Sequence, residues 1–270
     1  MNSSDTRLLE RSLAEPDIHR QWESVYRTVE NELFFDQAFD YIARTLDAPE
    51  QSVLLDAGCG TCAHAIRLAN RGFFVQAVDF SPSVLETARE YVRTRGLESR
   101  IKIRCEDILE FSFGDETFDF VLCWGVLMHI PDLEKAISEL ARILKPGGMI
   151  VISEGNMHSL QSVVLRGFSR FRGAKKTIVK KTPAGLEFWK TDSNGTLLTR
   201  QVNIRWLIDR FEGYHLMVRK RVAGEFSEAY TKVPVKSIRR FIHGFNTFWF
   251  KYVKIPQLAS GNIIIFEKAL

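Results

Sequence analysis

The sequence predicts an α/β fold: a doubly wound, mostly parallel sheet of seven strands, with helical and hairpin insertions in its C-terminal half. Three observations carry that expectation. Short apolar runs alternate with helix-period segments from residue 53 to residue 153. The links between them are short, as connections within one sheet are. One link is a glycine-rich turn between a buried strand and a helix, the place where such sheets hold ligands.

In order along the chain, residues 18–47 read as a helix with Phe35, Phe39, Ile42 and Leu46 on one face and Pro49 as its stop. Strand 53–56 follows, then helix 63–70 ended by Gly72, and strand 74–79. Helix 82–95 has Ser81 as N-cap, Pro82 as first helical residue and Gly96 as terminator. Strands 101–105 and 118–123 lead to helix 132–144, amphipathic through Leu133, Ile137, Leu140 and Leu144, and to strand 149–153. After Glu154 the alternation loosens. Leu186–Thr191 and Thr196–Val202 flank Asn194-Gly195, a type I′ hairpin signal. Helix 203–212, strand 215–223 and the closing strand 262–266 complete the sheet.

The chemistry concentrates at residues 53–79. A buried strand, Val53–Leu55, enters Asp56 and the Gly58-Cys59-Gly60 turn. A second strand ends in Asp79, 21 positions after Gly58. This β-turn-α-β unit suits an adenosine: glycines allow close backbone approach, the helix N-terminus offers amides, and the terminal carboxylate reaches ribose hydroxyls. No Lys-Ser or Lys-Thr follows the second glycine, so a P-loop is excluded. Gly58-x-Gly60-x-x-Ala63 satisfies the permissive dinucleotide form. Asp56, however, would repel a pyrophosphate and would suit a ligand bearing an ammonium and a sulfonium, S-adenosyl-L-methionine.

Over about residues 20–155 the chain resembles a class I S-adenosylmethionine-dependent methyltransferase, nearest the type 11, ubiquinone/menaquinone C-methyltransferase-like set. Five segments carry the resemblance: Asp56 to Thr61, Asp79-Phe80-Ser81-Pro82, Glu106-Asp107-Ile108 with Phe113 to Asp119, Val121 to Asp132, and Leu144-Lys145-Pro146-Gly147-Gly148. It implies a Rossmann-like sheet and S-adenosyl-L-homocysteine as product. It also implies a cofactor set of Asp56, Gly58, Cys59, Gly60, Asp79, Phe80, Asp107, Ile108 and Cys123, with Trp22 and Tyr26 closing over it. Within the set, Asp56 serves the methionine end and Asp79 the ribose; Phe80 and Ile108 flank the adenine, and Asp107, or Glu106 one residue earlier, accepts from its amino group. His129, after strand four, is the candidate catalytic base or a positioner of its loop. Cys62 stands where the family usually has a third glycine. The chain then divides into an N-terminal helical cap (1–50), a cofactor-binding core (51–155) and a completing segment (156–270) with substrate-side insertions at about 156–202 and 226–256.

Composition bounds the rest. The chain has 270 residues and a net charge of +4, unevenly spread. Residues 1–155 carry 16 basic and 26 acidic residues, net −10, and residues 156–270 carry 21 and 7, net +14. The basic half suggests an acceptor that is anionic or isoprenoid-like, and residues 234–256 read as a basic amphipathic helix able to touch a membrane. The start, MNSSDTRLLERS, has no apolar signal region and no apolar run approaches the ~18 residues that span a bilayer, so a cytoplasmic location is expected. Cys59, Cys62, Cys105 and Cys123 point to neither disulfides nor a metal, and the last two are expected to be buried. Methyl transfer to a small molecule, at oxygen or carbon, is the leading reading. An NAD-dependent oxidoreductase, an RNA methyltransferase and a non-catalytic cofactor-binding module are the alternatives. Nucleic acid is disfavoured, because Cys123-Trp124-Gly125-Val126 replaces the Asp/Asn-Pro-Pro-aromatic segment of base-amino methylators.

Overall fold

The computed structural model describes residues 28–49, 52–169, 177–192 and 195–270. Helix α1, Val29–Leu46, opens with the Thr28 hydroxyl accepting from the Asn31 amide at 3.3 Å. Its buried face, Phe34, Phe35, Ala38, Phe39, Ile42 and Leu46, recurs every three or four residues and lies on the sheet. The expected earlier part of this helix, with Trp22 and Tyr26, lies outside the described residues.

Strands β1 (Val53–Ala57), β2 (Phe74–Asp79), β3 (Ile101–Cys105), β4 (Phe118–Trp124) and β5 (Leu144–Gly155) alternate with α2 (Ala63–Ala69), α3 (Pro82–Arg93) and α4 (Leu133–Ile143). Helix α5 (Leu160–Ser169) and strands β6 (Thr177–Thr182), β7 (Gly185–Asp192) and β8 (Gly195–Val202) follow; α6 (Ile204–Glu212), β9 (Leu216–Ala223), α7 (Lys236–Phe248) and β10 (Gly261–Lys268) complete the chain. The main sheet has seven strands in the order β3-β2-β1-β4-β5-β10-β9, and β10 alone among them is antiparallel to its neighbours. The order reverses between β1 and β4, so a crevice opens at the carboxyl ends of those strands. One face of the sheet is covered by α1, α2 and α3, the other by α4 and α6.

Three features depart from expectation. Leu144 to Gly148, expected as a turn, is already strand: Leu144 pairs with Phe118, and the register slips before Met149 pairs with Phe120. The basic stretch after Glu154 contains α5 and β6, and β6 joins β7 and β8 in a separate antiparallel sheet. On α7 the apolar stripe is split: Phe245, with Trp249 beyond the helix end, packs on Phe226, while its other edge faces outward. His243 and Asn246 are its buried residues, while Phe241 and Phe248 are 73% and 51% exposed; beyond its end Tyr252 is 65% exposed and Phe250 is buried.

Candidate functional site

The glycine turn shapes the floor of the crevice. Gly58 has φ +79°, and a Cβ there would lie 2.4 Å from Val126 Cγ2, so strand-four loop and turn meet at a distance only glycine allows. The amides of Gly58 and Cys59 donate to the Val78 carbonyl at 2.9 and 2.8 Å, tying the turn to β2. Cys62, in place of a third glycine, takes the same left-handed region at φ 64°. Its hydrogen bond with the Cys59 thiol, together with burial, pushes the Cys59 pKa well up. Among the described residues no group of His, Cys, Asp and Glu is arranged to hold a metal ion.

Asp79 closes β2 with both oxygens oriented: Oδ2 accepts from the Gly60 amide and Oδ1 from the Ser81 amide, each at 3.0 Å. Asp56 sits beneath the turn, buried, with Oδ2 accepting no hydrogen bond among the described residues. Burial, and then the neighbouring Asp79 charge, push its pKa up to about 7. An orphaned carboxylate under an amide-rich turn is matched by a ligand with an ammonium group and not by a pyrophosphate.

These elements wall a cavity of about 740 Å³. Gly58, Cys59, Gly60, Asp79, Phe80, Asp107, Ile108 and His129 all line it. Asp107 spends one oxygen on the Leu109 amide at 2.8 Å. Glu106 also borders the cavity but is engaged by the Ser112 amide and hydroxyl and by Arg104, so Asp107 is the better acceptor for a ligand amino group. Three expectations are corrected. Cys123 is fully buried and faces the α4 side; strand alternation gives the cavity wall to Trp124 instead. Asp56 lies behind the wall, one layer below the turn. Cys105, expected to be buried, is exposed at the rim.

The opposite end of the cavity was not visible as a motif. Phe34 and Phe35 come from α1, Trp124 from β4, Glu154 from the end of β5, Thr199 from β8, and Glu225 and Glu228 from the segment after β9. The β6–β8 sheet leans on the strand-four loop. His129 Nδ1 lies 2.7 Å from the Leu198 carbonyl, an acceptor only, so Nδ1 carries the hydrogen and the neutral ring has its lone pair on Nε2. Arg200, 2% exposed, pairs with Glu187 at 2.9 Å and donates to the carbonyls of Leu127 and Ile130 at 3.1 and 2.8 Å. No sequence signal singled out Arg200.

Comparison with known proteins agrees with this geometry. Residues 55–152 match the family described as a methyltransferase domain. The chain is 32% identical over 135 residues to methyltransferase GfsG of Streptomyces halstedii, an overlap of 48% of this chain and 49% of that one. It is 36% identical over 118 residues to a ubiquinone biosynthesis O-methyltransferase of Alkalilimnicola ehrlichii, covering 43% of this chain and 47% of that one. The chain thus spans about half the length of these curated relatives. Among solved structures, an S-adenosylmethionine-dependent methyltransferase from Clostridium acetobutylicum superposes with a TM-score of 0.62 at 14% identity, over 94% of this chain and 100% of that one, a likeness of fold. The family match, residues 55 to 152, takes in the glycine turn, Asp79, Asp107 and the strand-four loop.

Proposed function

We propose that this protein transfers a methyl group from S-adenosylmethionine to a small-molecule acceptor. The observation that carries the reading is the cavity itself: the Gly58–Gly60 turn with Asp79, Phe80, Asp107 and Ile108 shares one continuous lining with His129 and with an aromatic and acidic set that includes Phe34, Phe35, Trp124, Glu154, Glu225 and Glu228. When bound, the cofactor supplies a methyl group made electrophilic by its sulfonium. Asp79 accepts from the ribose hydroxyls, Asp107 accepts from the adenine amino group, and Phe80 and Ile108 cover the ring. The methionine end lies along the Gly58–Gly60 turn, with the buried Asp56 carboxylate acting on its ammonium group from behind the wall. Trp124, Val126 and Met128 exclude water, so alignment supplies much of the rate. His129, with Nδ1 committed to Leu198, is oriented to take a proton at Nε2 when the acceptor requires it.

The anionic form of the acceptor expectation gains no support from the cavity. Among its described lining residues, Asp79, Glu106, Asp107, Glu154, Glu225 and Glu228 are the charged ones, with no Lys or Arg. Lys180, Lys181 and Lys190 are exposed elsewhere. Membrane contact through residues 234–256 remains part of the proposal, supported by the outward Phe241, Phe248 and Tyr252 beside Lys236, Arg240 and Lys251. Flotation with anionic vesicles tests it, and no flotation at low salt rejects it. Among the described residues no helix is long and apolar enough to cross a membrane.

A thermal-shift assay tests the main reading. S-adenosylmethionine or S-adenosylhomocysteine at 100 times its Kd adds about 2.7 kcal/mol. Asp79→Ala weakens their binding by about 1–3 kcal/mol. Stabilisation by NAD and by neither of these ligands overturns the proposal, whereas binding without turnover across an acceptor panel leaves a cofactor-binding module.

A further inference from the structure

We propose that the acceptor is an amine, whose ammonium form is received between β5 and β9 by Glu154, Glu225 and Glu228, with Phe34, Phe35 and Trp124 presenting aromatic faces. This rests on the methyl-transfer reading and names the substrate class of that same cavity.

The topology brings the carboxylates together. Glu154 pairs across β10 with Asn262, which pairs in turn with Ala223 at the end of β9. β5 and β9 therefore run parallel, and Glu154 and Glu225 emerge at the same edge of the sheet, about 10 Å apart across the intervening strand. Two of these carboxyl groups have unspent acceptor capacity. Glu154 is 3% exposed and borders the cavity; no side chain donates to it, and its nearest donors are the main-chain N–H groups of Val126, Leu127 and Met128 in the strand-four loop. Glu225 takes the Tyr230 hydroxyl on Oε2 at 3.0 Å and leaves the buried Oε1 without a partner. Tyr230 itself accepts from Asn31 Nδ2 at 3.1 Å, which sets Glu225 one helical turn from Phe34 on α1. Trp124 pairs in register with Ser153, beside Glu154, and stands edge-on to Phe35 at 6.0 Å.

Buried carboxyls without partners are costly, and a cation is the ligand that offsets the cost. Burial pushes Glu154 and Glu225 up to about 8, and pushes Glu228 up as well. The Leu127 and Met128 main-chain N–H groups and then Arg200 draw Glu154 down; the Glu228 charge raises Glu225 further while Tyr230 and Asn246 draw it down; and Lys232 draws Glu228 down. An ammonium reverses these shifts and ionises the carboxyls on binding, while the aromatic faces add cation–π attraction. In transfer, the ammonium gives one proton to a carboxylate and the freed nitrogen pair forms the N–C bond. The S–C electron pair stays on sulfur, which becomes a neutral thioether.

The test uses the full chain saturated with S-adenosylhomocysteine, which fills the cofactor end without turnover. Benzylamine, benzyl alcohol and phenylacetate are titrated calorimetrically in two buffers of different ionisation enthalpy. Benzylamine should bind at least tenfold tighter than the other two and release protons to the buffer. Glu154→Gln and Glu225→Gln should each weaken it about tenfold or more and leave S-adenosylhomocysteine affinity unchanged. Benzyl alcohol or phenylacetate binding as tightly, or no benzylamine binding at millimolar concentration, overturns the amine assignment; the comparison needs only the native chain. Failure of S-adenosylhomocysteine to bind would instead overturn the methyl-transfer reading beneath it.

Discussion

The two ends of the cavity are built in different ways. The cofactor end is made largely of main chain and of residues adjacent in sequence: the Gly58–Gly60 turn, Asp79 held by the Gly60 and Ser81 amides, and Asp107-Ile108. The acceptor end is made of side chains delivered by α1, β4, β5, β8 and the segment after β9. Backbone geometry can be set by a few neighbouring residues. A side-chain chamber gathered from distant segments depends on the whole sheet being in register. Changes at the first end should therefore show in ligand affinity, and changes at the second in turnover and global stability.

The sharpest test of that contrast is His129. His129→Gln should lower kcat by about 10²–10⁴-fold, with S-adenosylhomocysteine affinity unchanged, if Nε2 takes the proton. A purely positional His129 would instead raise apparent KM and lower the unfolding midpoint. Next is Arg200, the clamp under the acceptor end. Arg200→Met leaves Glu187 buried and unpaired and removes the donor from two carbonyls, which should cost about 3–5 kcal/mol in urea unfolding.

At the cofactor end, Gly58→Ala brings a methyl group to 2.4 Å from Val126 at a left-handed φ. The backbone alone costs about 1–2 kcal/mol and the overlap about 1–3 more, read as weaker cofactor binding. Val126→Ala should recover the steric part and not the backbone part, so the double variant separates them.

The smallest effect is in pH. Asp56 at about 7, and Glu154 and Glu225 at about 8, all lie above their ordinary values near 4. The folded, ligand-free protein then holds more protons than the unfolded chain between about pH 4 and 8. Stability should fall as pH rises through that window. Asp56→Asn should flatten the part up to about 7, and Glu225→Gln the part up to about 8.

The same contrast explains what the sequence disclosed. The cofactor end was legible because its turn, strands and acids follow one another at short spacing, and because α1 buries the very phenylalanines its period selects. Cys123 was misplaced by one strand position, since motif position does not say which face a residue takes. Glu154, Glu225 and Arg200 carry no local pattern, and their meeting exists only once β10 has paired between β5 and β9. The charge of the C-terminal half misled for a related reason. Among the described residues, Lys180, Lys181, Lys190, Lys236, Arg240 and Lys251 of that half are exposed and no Lys or Arg lines the cavity, whereas two of its seven acids, Glu225 and Glu228, do.

The Arg200 clamp has a consequence for how this protein can vary. Arg200 and His129 grip the strand-four loop and β8 through carbonyl oxygens, of Leu127, Ile130 and Leu198, and carbonyls are common to every residue type. The side chains between those grips are consequently free to be rewritten without loosening the loop. Met128 is among them and faces the acceptor. A library randomised there, with Arg200, Glu187 and His129 kept, would explore new acceptors on an unchanged scaffold.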